Sequence, residues 1–386
     1  MKLKRRPEDF RVEELADFPA SGGRFALYRL SKRSMGTPEV IAAVVRRWNI
    51  PRRRISYGGL KDRHALTQQF VTIEGGPRQN LKQSSFDLAY LGQAPRPFAS
   101  RDIEANRFQI VMRDMSRESL TQAKAALDRI RTDGLPNYFD DQRFGSLGES
   151  SEFVARAWCA GDFERALWLA LADPNEHDRP EDRAQKELLR AHWKDWAALK
   201  AKLERSTLRS LVTYLVDHPA DFRGAFARIN ADLRSLFLSA FQSFLWNKIL
   251  AALLQDHVPP NDLRPVTLKA GTVLFPITLP EAKRTELAAA RIPLPSARAG
   301  VAEPAMRSRI DRVLAAEGLE LRALRIKHPR ENFFSKGDRA ALVSPAKLRF
   351  DADADDLYPG RHKLQLAFTL PRGAYATILV KRVTEV

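Results

Sequence analysis

Residues 57–74 read YGGLKDRHALTQQFVTIE: a glycine pair, one carboxylate between two cations, then a polar turn running into the strand-like QQFVTIE. Gly58 and Gly59 let the backbone turn sharply or lie close to a ligand. Lys61 and Arg63 flank Asp62 and are expected to keep it ionised while offering phosphate contacts of their own. Alone, the stretch equally describes a surface turn with self-compensating charges, the commoner meaning of such a run. Its surroundings must decide.

Upstream, KRRPEDFRVEE at 4–14 is extended before Pro7 and then alternates Phe10 and Val12 with charged neighbours, a short half-buried strand with Lys4 at its mouth. FALYRL at 25–30 reads as the next strand. Thr37, Pro38 and Glu39 start a helix, with Val40, Ile41, Val44, Val45 and Trp48 on one face and Asn49 and Pro51 at its end. Downstream, Gly75, Gly76, Pro77, Gly92, Pro95 and Pro97 mark a linker before the strand NRFQIVMRD at 106–114. A helix follows from a Ser116 cap to Gly134. Strand and helix units of this kind build an α/β or α+β domain.

Beyond the aromatic loop LPNYFDDQRFGSLGES the pattern is helical from Phe153 to about Leu254. Leu189, Trp193, Trp196, Leu199 and Leu203 fall on one face of one predicted helix. ADLRSLFLSAFQSFLWNKILAALL at 231–254 is too apolar for a surface helix and predicts the buried centre of a second domain. VTLKAGTVLF reads as a hairpin, and KLQLAFTLPRGAYATILVKRV at 363–383 as two strands around Pro371 and Gly373. A terminal strand pair needs a sheet to join, and the substantial sheet lies in the first 115 residues. The middle is therefore expected to be an insertion: a catalytic domain from 1–146 and 341–386 around an inserted domain at 147–340.

Lys and Arg total 64 against 47 acidic residues, a formal charge of +17, which points to a polyanionic partner, although an Arg-rich genome gives the same excess. Cys159 is the single cysteine, so an intramolecular disulfide and a Cys-ligated zinc site are excluded, and a reducing cytoplasm is expected. Its place on the apolar side of a helix suggests packing. MKLKRRPEDF leads into no apolar segment, and ALWLALA at 166–172 is among the longest apolar runs, so neither a signal nor a membrane span is expected. No phosphate loop, dinucleotide fingerprint or nucleophile elbow occurs, and the histidines show no i, i+4 pair; no metal is expected. What remains is carboxylate chemistry beside basic and aromatic residues, which suits an RNA base.

Four separated pieces, KRRPEDFRVEE at 4–14, GGLKDRHALTQQ at 58–69, IEANRFQI at 103–110 and PNYFDDQRFG at 136–145, resemble in order the tRNA pseudouridine synthase D family, as do LFLSAFQSFLWN at 236–247 and FTLPRGAYATILV at 368–380. Two departures are visible: Asp140 stands where many members have Gly, and 155–230 is longer than in many bacterial members. The resemblance implies an α+β fold with a split catalytic domain on a mostly antiparallel sheet and a large, mainly helical inserted domain. It implies an isomerase that converts uridine to pseudouridine in tRNA, at uridine-13, without cofactor or metal, with other RNAs as alternative substrates; a cytoplasmic monomer is expected. By the same resemblance Asp62 is the catalytic aspartate, Lys4 the active-site lysine, Asn106 the active-site asparagine, and Phe108 the aromatic beside the flipped base. Lys61, Arg63, Asn137, Phe139, Gln142 and Arg143 are weaker candidates for RNA binding or loop support, and Asp9 and Glu13 are expected as structural charges near Lys4. A non-catalytic RNA-binding protein would not need Asp62. A metal-dependent nuclease would need a carboxylate cluster, and the best acidic run, DADADD at 351–356, reads as a solvated loop.

Overall fold

Alternating side chains build the first sheet from its centre. Phe10, Val12 and Glu14 point to one face of β1 (Phe10–Leu15), and Asn106, Phe108, Ile110 and Met112 to the same face of β7 (Ala105–Met115); Arg11, Glu13, Arg107 and Gln109 point to the other. The nine strands include β2 (Phe25–Arg33), β3 (Ile55–Tyr57), β4 (Leu66–Glu74), β5 (Leu81–Lys82) and β6 (Phe86–Ala94). Two late strands, β8 (Ala346–Ala354) and β9 (His362–Pro371), complete it. The order is β8-β9-β7-β1-β4-β2-β6-β5, with β3 also on β4. Only β1 and β4 run parallel; the other pairs are antiparallel.

Helix α1 (Thr37–Trp48) buries Val40, Ile41 and Val44 against Tyr28, Leu30, Val71 and Ile73. Burial of such side chains contributes about 1.5–3 kcal/mol each. Helix α2 (Arg117–Asp133) begins at Ser116, whose hydroxyl accepts the Ser119 amide at 3.1 Å, and packs on β9. The computed structural model describes residues 1–301 and 303–386, which divide into two units, 1–135 with 343–385 and 136–342. The second unit is mainly helical around α3 (Ala231–His257) and carries the hairpin of Leu263–Leu268 with Gly271–Pro276.

Several expectations are corrected. The first junction falls at 135/136, before the aromatic loop, because Asn137 is tied to the end of the inserted segment: Arg339 donates to its main-chain and side-chain oxygens. The presumed linker contains β6, whose alternation Phe86, Leu88, Tyr90 joins it to β2 despite the Gly and Pro around it. Residues 363–383 are one strand and a helix, α4 (Ala376–Thr384). Pro371 ends the strand, Gly373 turns at φ 85°, and Ala376, Leu379, Val380 and Val383 are buried at helical spacing. The face from Leu189 to Leu203 belongs to two helices, Pro180–Ala191 and Trp196–Lys202, because Lys194 takes φ 73° and Asp195 caps the second.

The acidic run is not a solvated loop. Its first four residues lie in β8, Asp355 is buried, and Asp355 and Asp356 both accept from Arg113. Asp9 and Glu13 are structural charges, but Asp9 serves Arg113 and Glu13 serves Arg107; neither is paired with Lys4. α3 is long and apolar enough to cross a membrane by length and composition, contrary to the expectation from apolar runs. Of its most apolar window 72% is buried inside the fold, as in a core helix. That burial on every side also explains its lack of a polar face.

Candidate active site

The loop 58–65 joins β3 to β4 and is held from several directions. A Cβ on Gly58 would stand 2.6 Å from Ile103 Cδ1, so only glycine fits there; neither glycine of the pair needs a positive φ. The Gly59 carbonyl accepts from Gln69 Nε2 at 3.0 Å, and the Thr37 hydroxyl accepts the Lys61 amide at 3.1 Å while donating to Gln69 Oε1 at 2.9 Å. Lys32 Nζ donates to the Asp62 carbonyl at 2.6 Å. These bonds fix the main chain on both sides of Asp62 and leave its carboxylate to face the site.

The carboxylate faces Lys4, 3.4 Å away, and both side chains keep about a quarter of their surface in solvent, 28% and 27%. A ligand can reach them. Lys4 takes φ 51°, a left-handed conformation that costs a non-glycine residue energy and is concentrated at functional sites. Its ammonium also lies 4.2 Å from the centre of the Phe10 ring, a cation–π contact. The cation nearest in sequence behaves otherwise. Lys61 Nζ lies 2.8 Å from Glu14 and 2.9 Å from Asn106 Oδ1, and Arg63 reaches Glu39 on α1. Lys61 and Arg63 thus turn to Glu14 and Glu39, and Lys4, 58 positions away in the chain, is the cation beside the Asp62 carboxylate.

Asn106 and Phe108 are one β-period apart, on the face that carries Glu14 and Val12. Phe108 is 8% exposed, stacked on Phe368 at 5.4 Å and edge-on to Phe10 at 6.4 Å. Through Phe10, whose ring lies 4.2 Å from the Lys4 ammonium, it is one ring removed from the pair. Asn137, Phe139, Gln142 and Arg143 belong to the second unit. Asn137 Nδ2 donates to the Ala340 carbonyl at 3.0 Å, Phe139 exchanges two main-chain bonds with the Asn247 amide at 2.9 and 2.8 Å, and the Arg143 guanidinium lies over the Phe139 ring. Those contacts are structural ones.

Glu14, Lys32, Thr37 and Gln69 were not among the sequence candidates. Their signal is a polar residue in a core-facing register: Lys32 follows Ala26, Tyr28 and Leu30, and Glu14 follows Phe10 and Val12. Burial pushes the Lys32 ammonium down to about 8, against the opposing pull of Asp62 and Glu39, with Lys61 lowering it further.

A carboxylate and an ammonium 3.4 Å apart, on a loop braced by the sheet and with the Phe10 ring against the ammonium, form the candidate site. The family description tRNA pseudouridine synthase D (TruD) matches residues 1–383. A protein of Methanocaldococcus jannaschii described as a probable tRNA pseudouridine synthase D 2 is 30% identical over 99% of this chain and 91% of its own. The tRNA pseudouridine synthase D of Aquifex aeolicus is 25% identical over 99% and 98%. A crystal structure assigned to the same enzyme of Methanosarcina mazei superposes with a TM-score of 0.73 at 25% identity, covering 100% of this chain and 93% of that one. The chain belongs to the tRNA pseudouridine synthase D family, enzymes that isomerise uridine to pseudouridine.

Proposed function

We propose that the protein converts uridine-13 of tRNA to pseudouridine, with Asp62 as the reacting carboxylate and the target base flipped out of its stack. The reaction breaks the bond from N1 of the base to C1′ of the sugar and forms one from C5 to C1′. The C5 proton is lost and N1 gains one, so no cofactor is consumed. Asp62 either adds to the nucleoside or takes a proton from its sugar, and both routes use the carboxylate, with the Lys4 ammonium 3.4 Å away. A paired uridine is out of reach of any side chain, and the aromatic floor of Phe10 and Phe108 compensates for part of the stacking lost when it is extruded.

The observation that carries this reading is the division of labour in the loop. Its main chain and Lys61 are anchored, while the Asp62 carboxylate is presented to solvent beside Lys4. Asp62→Asn tests it. Pseudouridine mapped in tRNA from cells carrying the wild-type or the variant should vanish at position 13 in the variant, with tRNA affinity held within a few-fold. Retained turnover would remove Asp62 from its role, and a mark at another position would move the target.

A further inference from the structure

We propose that Lys32 is a positioning residue for the reaction: from beneath the loop its ammonium holds the Asp62 main chain in place, so that the carboxylate is presented in one orientation to the nucleoside. Lys32 does not touch the substrate side of the loop. It lies at a core-facing position of β2, 3% exposed, where an apolar residue would ordinarily continue the series Ala26, Tyr28, Leu30. A lysine placed there costs stability through desolvation, and its Nζ is spent on main-chain acceptors, the Asp62 carbonyl at 2.6 Å and the Lys61 carbonyl at 3.4 Å. A buried cation that bonds the carbonyl of the reacting residue fixes that residue's main chain more firmly than a neutral donor, because charge-assisted hydrogen bonds are about twice as strong.

The neighbouring main-chain braces from Thr37 and Gln69 are neutral and act one residue or more away. Thr37 takes the Lys61 amide and Gln69 the Gly59 carbonyl. Lys32 is therefore the brace on Asp62 itself that titrates. The charged groups facing it are Asp62 and Lys61 on the loop and Glu39 on α1. Because burial brings its ammonium down to about 8, raising the pH past that value discharges the brace.

The inference rests on Asp62 being the reacting group, and the experiment separates the two ideas. Lys32→Met, Lys32→Gln and Asp62→Asn are compared by steady-state kinetics on tRNA transcripts from pH 6 to 9.5, with melting temperatures at each pH. Lys32→Met should lower kcat tenfold or more with KM within twofold, and its melting temperature at pH 7 should match or exceed wild type because a buried charge is gone. Lys32→Gln, which keeps an N–H donor without a charge, should recover part of kcat. The wild-type kcat should fall above pH 8, and neither variant should show that limb. Wild-type kcat in Lys32→Met, or a limb near pH 8 that persists in Lys32→Gln, overturns the proposal. If Lys32→Met does not fold, the pH profile of Lys32→Gln decides alone. Turnover by Asp62→Asn would sink the reading of Asp62 instead; an inactive Asp62→Asn beside a fully active Lys32→Met would sink only the role of Lys32.

Discussion

Lys61 precedes Asp62 in the chain, yet its ammonium turns to Glu14, 2.8 Å away, and to Asn106 at 2.9 Å. Successive residues of one loop therefore do different things: Lys61 is an anchor in the sheet, and Asp62 turns its carboxylate to Lys4. The Glu14 side chain is fully buried and its other oxygen accepts the Phe70 amide at 3.0 Å, so the pair also ties β1 to β4. Removing the cation from a buried pair leaves a charge without compensation, at about 3–5 kcal/mol. Lys61→Met should lower the urea midpoint of unfolding accordingly, and Lys61→Met combined with Glu14→Gln should recover part of the loss. An unchanged midpoint in the single variant would show that the anchor is dispensable.

The Lys4–Asp62 pair should behave in the reverse way. It is partly solvated, so its contribution to stability is at most about 1 kcal/mol. Under the proposed role, holding charge where the reaction needs it, its loss costs on the order of a hundredfold in kcat. Lys4→Met is expected to melt close to wild type and to turn over far more slowly. Equal losses in both measurements would make Lys4 a structural residue.

Phe108 serves the fold. Stacked on Phe368 and edge-on to Phe10, it should cost about 3–5 kcal/mol when cut to alanine. Phe108→Leu, which keeps most of the volume, should restore the melting temperature while activity stays reduced if the ring faces the flipped uridine. Full activity in Phe108→Leu would confine Phe108 to the core.

Arg113 gathers Asp9, Asp355 and Asp356. Burial works against ionised Asp355, but the Asp114 and Leu357 amides and Arg113 outweigh it and hold the carboxyl below the usual carboxylate range. The stabilisation is present above the unfolded value of 3.8 and is lost as pH falls through the lower folded value. Unfolding midpoints should therefore drop below about pH 4, and less steeply in Asp355→Asn. Identical acid limbs in the two proteins would place the acid sensitivity elsewhere.

Binding of tRNA should depend steeply on salt. Contacts to 6–10 phosphates would weaken affinity by about a thousandfold or more between 50 and 200 mM salt. A filter-binding or anisotropy titration at several salt concentrations measures the slope, and a flat one would remove the +17 charge from the recognition of RNA.

The sheet was legible wherever one face is wet, because alternation then survives in the sequence: β1 and β7 are readable for that reason. β6 was hidden by the glycines and prolines at its borders, and α4 by β-branched residues that suit either period. In the site, Asp62 and Lys4 were readable from the motifs that carry the family resemblance. Their pairing was legible through the same resemblance, which sets Lys4 beside the Asp62 carboxylate, and not through local spacing, since no such rule links a residue at the N-terminal strand's mouth to a loop after β3. Glu14, Lys32 and Gln69 were missed for a single reason: each occupies a position that alternation assigns to the core, and only the three-dimensional neighbours explain a polar side chain there.

The placement of β8 and β9 also has a temporal meaning. β9 pairs β7 along nearly its whole length, but it is synthesised only after roughly two hundred residues of the second unit. At about 5–20 residues per second on the ribosome, β7 waits on the order of ten seconds or more as an open edge bearing Phe108, Ile110 and Met112. The edge of β7 that β9 later covers thus stays open until translation is nearly over, while its other edge is already available to β1.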